Sequence, residues 1–147
     1  FIQAAPLSVN AMFYNNKAHG KRKEAKDWEC NIMHQLWEAS NRKALQELRD
    51  HFNPKKHVYA VSLTFVYPWD KFYTKADGLS SHTQDLSNCE KALIDVVFTP
   101  RYFGLNHPYQ CENLNIDDKY ITALVSKKLP GDSQYIKISI AILNRIR

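Results

Sequence analysis

The sequence predicts a single α+β domain spanning residues 1–147, with a sheet of about four mixed or antiparallel strands packed by two main helices. Its 147 residues, 44% of them hydrophobic, suffice for one buried core and are too few for two domains. Apolar residues recur at helical spacing in the first third of the chain and alternate as in strands further on. Helices with one apolar stripe need a sheet to cover them, which favours the α+β class.

The helical segment runs from Lys21 to about His51, where apolar residues fall three or four positions apart. Ser40-Asn41 is a natural break between two helices, and Pro54 ends the segment because a residue before proline avoids the helical region. A shorter helix is predicted from Cys89 to Phe98. Residues 69–84 and 101–116 lack a clear period and are predicted as loops. The apolar stripe comprises Ala25, Trp28, Ile32, Leu36, Ala39, Leu45, Leu48 and Phe52.

Strands are predicted from Val58 to Tyr67, from Asp118 to Lys128 and from Tyr135 to Leu143, since apolar and polar residues alternate in each. Phe1 to Ala5 adds a short first strand. Pro130-Gly131-Asp132 is a type II turn signal and predicts an antiparallel hairpin between the last two strands. The first of these two strands is predicted to carry Ile121, Ala123 and Val125 on one side, and the second to carry Ile136, Ile138, Ile140 and Ile142 on one side.

The positive charge of the chain is clustered. Twenty Lys and Arg against fifteen Asp and Glu give a formal charge of +5. This distribution suits an anionic polymer such as nucleic acid, although a solvated surface explains it equally well. The main basic stretch contains Lys17, His19, Lys21, Arg22, Lys23 and Lys26, and smaller groups contain Lys127, Lys128, Arg145 and Arg147.

Cysteine usage and hydropathy indicate a cytoplasmic protein. Three widely spaced cysteines form neither a disulfide framework nor a zinc pattern, which fits a reducing compartment. No apolar run approaches the roughly 20 residues that a membrane span needs. We therefore expect a soluble protein with no membrane partner.

The segment Asp85-Leu86-Ser87-Asn88 precedes the predicted Cys89–Phe98 helix. In an extended chain Asp85 and Ser87 point to the same side, and Ser87 or Asn88 is expected to cap the helix. Lys91 then falls in the first helical turn, where a lysine is unfavourable unless an anion such as phosphate lies nearby. The alternative is structural: Lys91 pairs with Asp95 one turn on, and Asp85 is only a turn residue.

A second acidic cluster, Asp117-Asp118, immediately precedes an alternating strand. Adjacent carboxylates repel each other, and a divalent cation would relieve that repulsion. Alternation places Asp118 with Tyr120 and Thr122 on the solvent side, which makes Asp118 the better candidate ligand. Paired aspartates in a turn are also common for purely local reasons.

Taken together, these motifs resemble the RusA family of Holliday-junction resolvases, the crossover junction endodeoxyribonucleases. The similarity covers most of the chain in the right order. Ser87 stands where the family typically has a second aspartate, which should weaken metal binding because a hydroxyl is a poorer ligand than a carboxylate. The matching segments are Pro6-Leu7-Ser8-Val9-Asn10, Lys23 to Trp28, Asp85-Leu86-Ser87-Asn88, Lys91, Ala92-Leu93-Ile94-Asp95 and Asp117-Asp118.

The resemblance implies metal-dependent hydrolysis of phosphodiester bonds in four-way DNA, by a homodimer that makes paired cuts in recombination and repair. It implies that Asp85 and Asp118 hold Mg²⁺ or Mn²⁺, with Asp117 and Ser87 as secondary ligands, and that Lys91 stabilises the developing negative charge. The expected setting is the cytoplasm of a bacterial or phage-infected cell. DNA phosphates would be bound by Lys17, Lys21, Arg22, Lys23 and Lys26.

Two other functions remain open from the sequence. A resolvase-like fold with a degenerate metal site would bind branched DNA with little or no cutting. An unrelated α+β interaction domain would show no preference for branched DNA.

Overall fold

The computed structural model describes residues 1–6, 23–80, 85–99 and 111–146. It confirms the α+β class, with four helices and a three-stranded mixed sheet within these ranges. Phe1 to Ala5 does not form the fourth strand; it contributes a single bridge, between Ile2 and Ile136. None of the described helices is long and apolar enough to cross a membrane. The elements are α1 (Lys23–Trp37), α2 (Ala39–His51), β1 (His57–Pro68), α3 (Trp69–Phe72), α4 (Leu86–Phe98), a 3-10 turn (Asp118–Tyr120), β2 (Ile121–Gly131) and β3 (Tyr135–Asn144).

β1 lies at the centre of the sheet, with β2 parallel to it on one side and β3 antiparallel on the other. The predicted hairpin between β2 and β3 is therefore wrong. α4 returns the chain so that β2 can join β1 in parallel, and the short connection 132–134 then passes the end of β1. Gly131 sits so close to Val66 that an added Cβ would be 2.6 Å from Val66 Cγ1. Gln134 Nε2 donates to the Val66 carbonyl oxygen at 2.8 Å, which ties the connection to β1.

The core lies between one face of the sheet and helices α1, α2 and α4. Tyr59, Leu63 and Phe65 of β1 are fully buried there, as their alternation predicted. Phe52, which follows α2, stacks on Tyr59 with ring centroids 4.4 Å apart, and Phe98 of α4 meets the Tyr59 ring edge-on. β3 contributes Ile136, Ile138, Ile140 and Ile142 to the same side, as predicted.

β2 departs from its predicted alternation because of a bulge at its start. Tyr59 is paired with Ile121, but the next residue of β1, Ala60, is paired with Ala123. The extra residue places Ile121 on the core face and Val125 on the opposite face, where its side chain is 63% exposed. The prediction that both lie on one side is therefore wrong.

The helix boundaries also differ from the sequence predictions. The break between α1 and α2 falls at Glu38, two residues before the predicted Ser40-Asn41. α3 lies in a segment predicted to be a loop, and α4 begins at Leu86, three residues earlier than predicted. The early start of α4 decides the geometry around Asp85.

Candidate functional site

Asp85 occupies the N-cap position of α4 and is exposed to solvent. Its backbone carbonyl accepts from the amides of Asn88 (3.1 Å) and Cys89 (3.2 Å), whereas its carboxylate makes no capping hydrogen bond. The prediction that Ser87 or Asn88 caps the helix is wrong, because both lie inside it. The Asp85 carboxylate is consequently at the helix end but is not used to hold that end together.

This end of α4 lies where the parallel strands β1 and β2 finish. Cys89, in the first turn, is hydrogen-bonded to Tyr67 near the end of β1. It also interacts electrostatically with Lys128 near the end of β2. Burial raises the pKa of the Cys89 thiol to about 11, and Lys128 opposes that rise. The carboxyl edge of parallel strands is where α/β sheets generally bind ligands.

Lys91 lies in the second turn of α4, because the helix starts earlier than predicted. Its side chain is 67% exposed and its Nζ is 3.7 Å from Asp95 Oδ2, so the local pairing considered for these two residues is present. An exposed pair at this distance contributes little to stability. Because this ion pair is weak, the Lys91 side chain can change rotamer and reach an anion at the start of α4.

The start of α1 packs against the second turn of α4. Ala25 and Ala92 are both fully buried and in contact, with Trp28 against them. Lys26 is next to Ala25 in the chain, and Lys91 is next to Ala92. Lys23 and Lys26 are exposed on α1, alternating with the exposed carboxylates of Glu24 and Asp27. The other predicted DNA-binding residues, Lys17, Lys21 and Arg22, lie outside the described residues.

Asp117 and Asp118 lie at the opposite end of α4. The segment before them is bound to the last turn of the helix: the Leu114 amide donates to Val97 O at 2.7 Å and the Ile116 amide to Phe98 O at 3.0 Å. Asp117 Oδ1 accepts from the Lys119 amide at 2.9 Å, so this carboxylate serves a local turn. Asp118 is exposed in the 3-10 turn and not on the alternating strand that was predicted.

Asp85 and Asp118 therefore do not come together within one chain. The 13 residues of α4 span about 20 Å at 1.5 Å per residue, whereas ligands of one Mg²⁺ ion all lie about 2.1 Å from it. Within residues 1–6, 23–80, 85–99 and 111–146, no group of three or more His, Cys, Asp or Glu side chains is placed to hold a metal ion.

One contact that the sequence did not reveal joins α2 to the segment that precedes Asp117. The Arg49 guanidinium of α2 donates hydrogen bonds to both carboxylate oxygens of Glu112, at 2.9 and 3.3 Å. It also donates to the Asn113 carbonyl oxygen at 2.8 Å. Asn113 is buried and its amide donates to Thr99 O at 2.8 Å. Since 63 residues separate Arg49 from Glu112, no local periodicity could have indicated this pair.

No family model, no curated protein and no solved structure matches the chain.

Proposed function

We propose that this chain is a RusA-type endodeoxyribonuclease that acts on four-way DNA, with Asp85 as its catalytic carboxylate. The order of the short motifs along the chain supports this reading. The observation that carries it is the exposed Asp85 carboxylate at the N-cap of α4, which makes no capping hydrogen bond, on a helix that packs through Ala92 against Ala25 of the lysine-bearing α1. A carboxylate at a helix N-terminus, with a lysine in the next turn of the same helix, suits a site that binds a phosphodiester and activates water next to it.

The groups at the start of α4 and the lysines of α1 would have different roles in binding and cleaving the phosphodiester. Amide groups in the first turn of α4 and the positive end of its dipole favour a phosphate. Lys91 would stabilise the negative charge that develops on that phosphate, and Asp85 would orient the attacking water. Lys23 and Lys26 would bind neighbouring phosphates without reading sequence, so affinity should fall steeply with salt.

The metal ion implied by the resemblance fits the described residues poorly. Asp85 and Ser87 offer one carboxylate and one hydroxyl at this end of α4, while Asp117 and Asp118 are at the other end. The hard cations Mg²⁺ and Mn²⁺ prefer several carboxylate or carbonyl oxygens. We therefore assign no catalytic step to Asp118.

The poor fit of a metal ion to these residues favours a second candidate function, a protein that binds branched DNA and cuts it poorly or not at all. Separation of Asp85 from Asp118 and the hydroxyl of Ser87 both reduce the charge available to a cation. The exposed lysines of α1 and α4 would be retained in such a protein.

One assay separates the two functions. Purified protein is incubated with a labelled four-way junction or a matched linear duplex, with Mg²⁺, Mn²⁺ or chelator. Metal-dependent cutting of the junction that Asp85→Asn abolishes supports the nuclease, and tight junction binding without product supports the second candidate. Equal affinity for junction and linear duplex, with no product, contradicts both.

Two variants refine the result. Ser87→Asp should raise the cutting rate or lower the Mg²⁺ concentration required, because it adds the carboxylate that the family typically has. Lys26→Ala should weaken junction binding and reduce the slope of log K against log salt by about one. Lys43→Ala, an exposed lysine of α2, is the matched control and should change neither.

A further inference from the structure

Two of the three cysteines, Cys30 and Cys111, are far apart in the sequence and are brought together by the fold. Cys30 lies on α1, and Cys111 precedes the 3-10 turn and β2. The amide of Glu112, the residue after Cys111, donates to the carbonyl oxygen of Met33 at 3.0 Å. Met33 follows Cys30 by one turn on the same side of α1. The backbone therefore holds Cys111 against the part of α1 that carries Cys30.

The side chains of the two cysteines interact as well. Burial raises the pKa of the Cys111 thiol, and the nearby Cys30 adds to that rise. A titratable neighbour has such an effect only at short range, because its Coulomb interaction falls with distance. A disulfide joins residues whose Cα atoms are about 4.4 to 6.8 Å apart, a separation comparable to one helical turn of about 5.4 Å. The contact between α1 and the Cys111 segment is of that kind.

Both thiols are also accessible to small molecules in solution. Each of these two cysteines is partly exposed, whereas Cys89 is in the core and only 2% exposed. Cys30 lines an open cavity of about 310 Å³ together with Asp27, Asn31 and His34. A small oxidant can therefore reach Cys30 from this cavity, while the core shields Cys89.

We propose that Cys30 and Cys111 are a redox pair, which a mild oxidant joins in a reversible disulfide that fixes α1 to the segment before β2. Hydrogen peroxide oxidises the thiol beside the cavity, that of Cys30, to a sulfenic acid and releases one water. The Cys111 sulfur then attacks the Cys30 sulfur and displaces a second water. Two thiols and one peroxide thus give one disulfide and two waters, and a dithiol reductant reverses the change.

The bond would reinforce a meeting point of three helices. Glu112, next to Cys111, is held by Arg49 of α2, and the Asn113 side chain is bound at the end of α4. Oxidation adds a covalent attachment to α1 and closes a long loop in the unfolded chain, so the midpoint of thermal unfolding should rise by about 5 to 10 °C. Neither cysteine belongs to the site at the start of α4, so the proposal can fail or hold independently of the proposed nuclease.

Peptide mapping of the oxidised wild-type chain tests the pairing. The full chain is treated with equimolar hydrogen peroxide, and the remaining thiols are blocked under denaturing conditions. Proteolytic peptides are then analysed by mass spectrometry without reduction. We expect a monomeric product in which Cys30 is linked to Cys111 and Cys89 is blocked as a thiol. Linkage of Cys89 to either residue, disulfides only between chains, or no disulfide at all contradicts the proposal.

Thermal unfolding before and after oxidation tests the effect on the fold. The wild-type midpoint should rise on oxidation and return with dithiothreitol. Cys111→Ser should show no rise, whereas Cys89→Ser, the matched control, should retain it. Each protein is compared with its own reduced form, so a general loss of stability in a variant does not affect the result. An equal rise in Cys111→Ser, or no rise in a wild-type chain whose Cys30–Cys111 bond has been mapped, contradicts the proposal.

Discussion

Asp85 and Asp118 lie at opposite ends of α4, one at its N-cap and the other just beyond the segment bound to its last turn. Because β2 runs parallel to β1, α4 must return the chain along the length of the sheet, and the residues before and after it are necessarily separated. The fold thus divides the acidic residues that the family resemblance groups together. Substitution of each aspartate in turn tests whether both are needed for cutting.

Asp118→Asn should leave junction cutting within about threefold of the wild-type rate, a change worth less than about 1 kcal/mol. Asp85→Asn should abolish the reaction, since Asp85 alone of the two lies at the start of α4, the end where helix amides favour a phosphate. Single-turnover rates on a labelled four-way junction provide the measurement. Equal loss in both variants would mean that Asp118 reaches the site, for instance from another copy, and that the separation within one chain is irrelevant to catalysis.

Gly131→Ala should destabilise the fold by about 1 to 3 kcal/mol, because its Cβ would be 2.6 Å from Val66 Cγ1 and the connection between β2 and β3 would have to shift. Urea unfolding followed by circular dichroism measures the change. Gly78→Ala is the matched control: its Cβ would be at an ordinary 3.4 Å from Thr74 Oγ1, and its stability should be unchanged or slightly higher. Equal stability of the two variants would contradict the close approach of Gly131 to Val66 at the end of β1.

Arg49→Met should cost about 2 kcal/mol of unfolding free energy, since it removes a two-pronged, charge-assisted contact with Glu112 and a hydrogen bond to Asn113. Arg42→Met, which only removes a guanidinium 4.5 Å from the Trp37 ring, should cost less than about 1 kcal/mol.

A double-mutant cycle with Glu112→Gln identifies the source of the Arg49 effect. The two changes should be clearly less than additive, as expected for residues in direct contact. Additive losses would show that Arg49 acts only through the packing of its side chain.

Tyr59→Phe should raise the free energy of unfolding by about 1 kcal/mol, because the buried Tyr59 hydroxyl has no hydrogen-bond partner among the residues that the structure describes. The ring, stacked on Phe52, is retained. Tyr73→Phe, at an exposed ring, should have no effect. Thermal unfolding compares the three proteins, and a loss of stability in Tyr59→Phe would indicate that the hydroxyl is bonded after all.

Alkaline pH should destabilise the wild-type fold. Burial raises the pKa of Tyr59 from 10.0 to about 12 and that of Cys89 from 9.0 to about 11. The folded chain therefore keeps protons that the unfolded chain has lost, so stability is full below about pH 9 and falls as the pH rises toward 12. Tyr59→Phe should fall less steeply than wild type in urea unfolding at stepped pH. Identical slopes would contradict a protonated, buried Tyr59.

Local patterns were sufficient to predict the elements but not their arrangement. Alternation predicted β1 and the inward side of β3, and the helical stripe predicted α1 and α2, because side-chain burial follows these periods directly. The supposed hairpin failed because a turn signal says how two strands are joined and not whether a third strand lies between them. The bulge before Ala123 was equally hidden, since one extra residue reverses the faces without changing composition.

The candidate site could be predicted only in part for the same reason. Asp85 and Lys91 are close in the sequence and remain close in the fold. Asp118 was grouped with them through the resemblance, and its position depends on the strand order, which no motif reveals. The buried pair Ala25 and Ala92, which joins α1 to α4, consists of residues that carry no chemical signal of their own.

The most direct test of the proposed nuclease is the rate of product formation from a labelled four-way junction with Mg²⁺, measured for the wild-type chain and Asp85→Asn side by side. We predict nicking of the junction by the wild-type chain, little cutting of linear duplex, and a loss in Asp85→Asn of at least about a hundredfold, equivalent to about 2.7 kcal/mol of transition-state stabilisation. Absence of junction product from the wild-type chain at every protein concentration, or an Asp85→Asn variant that cuts as fast, would contradict it.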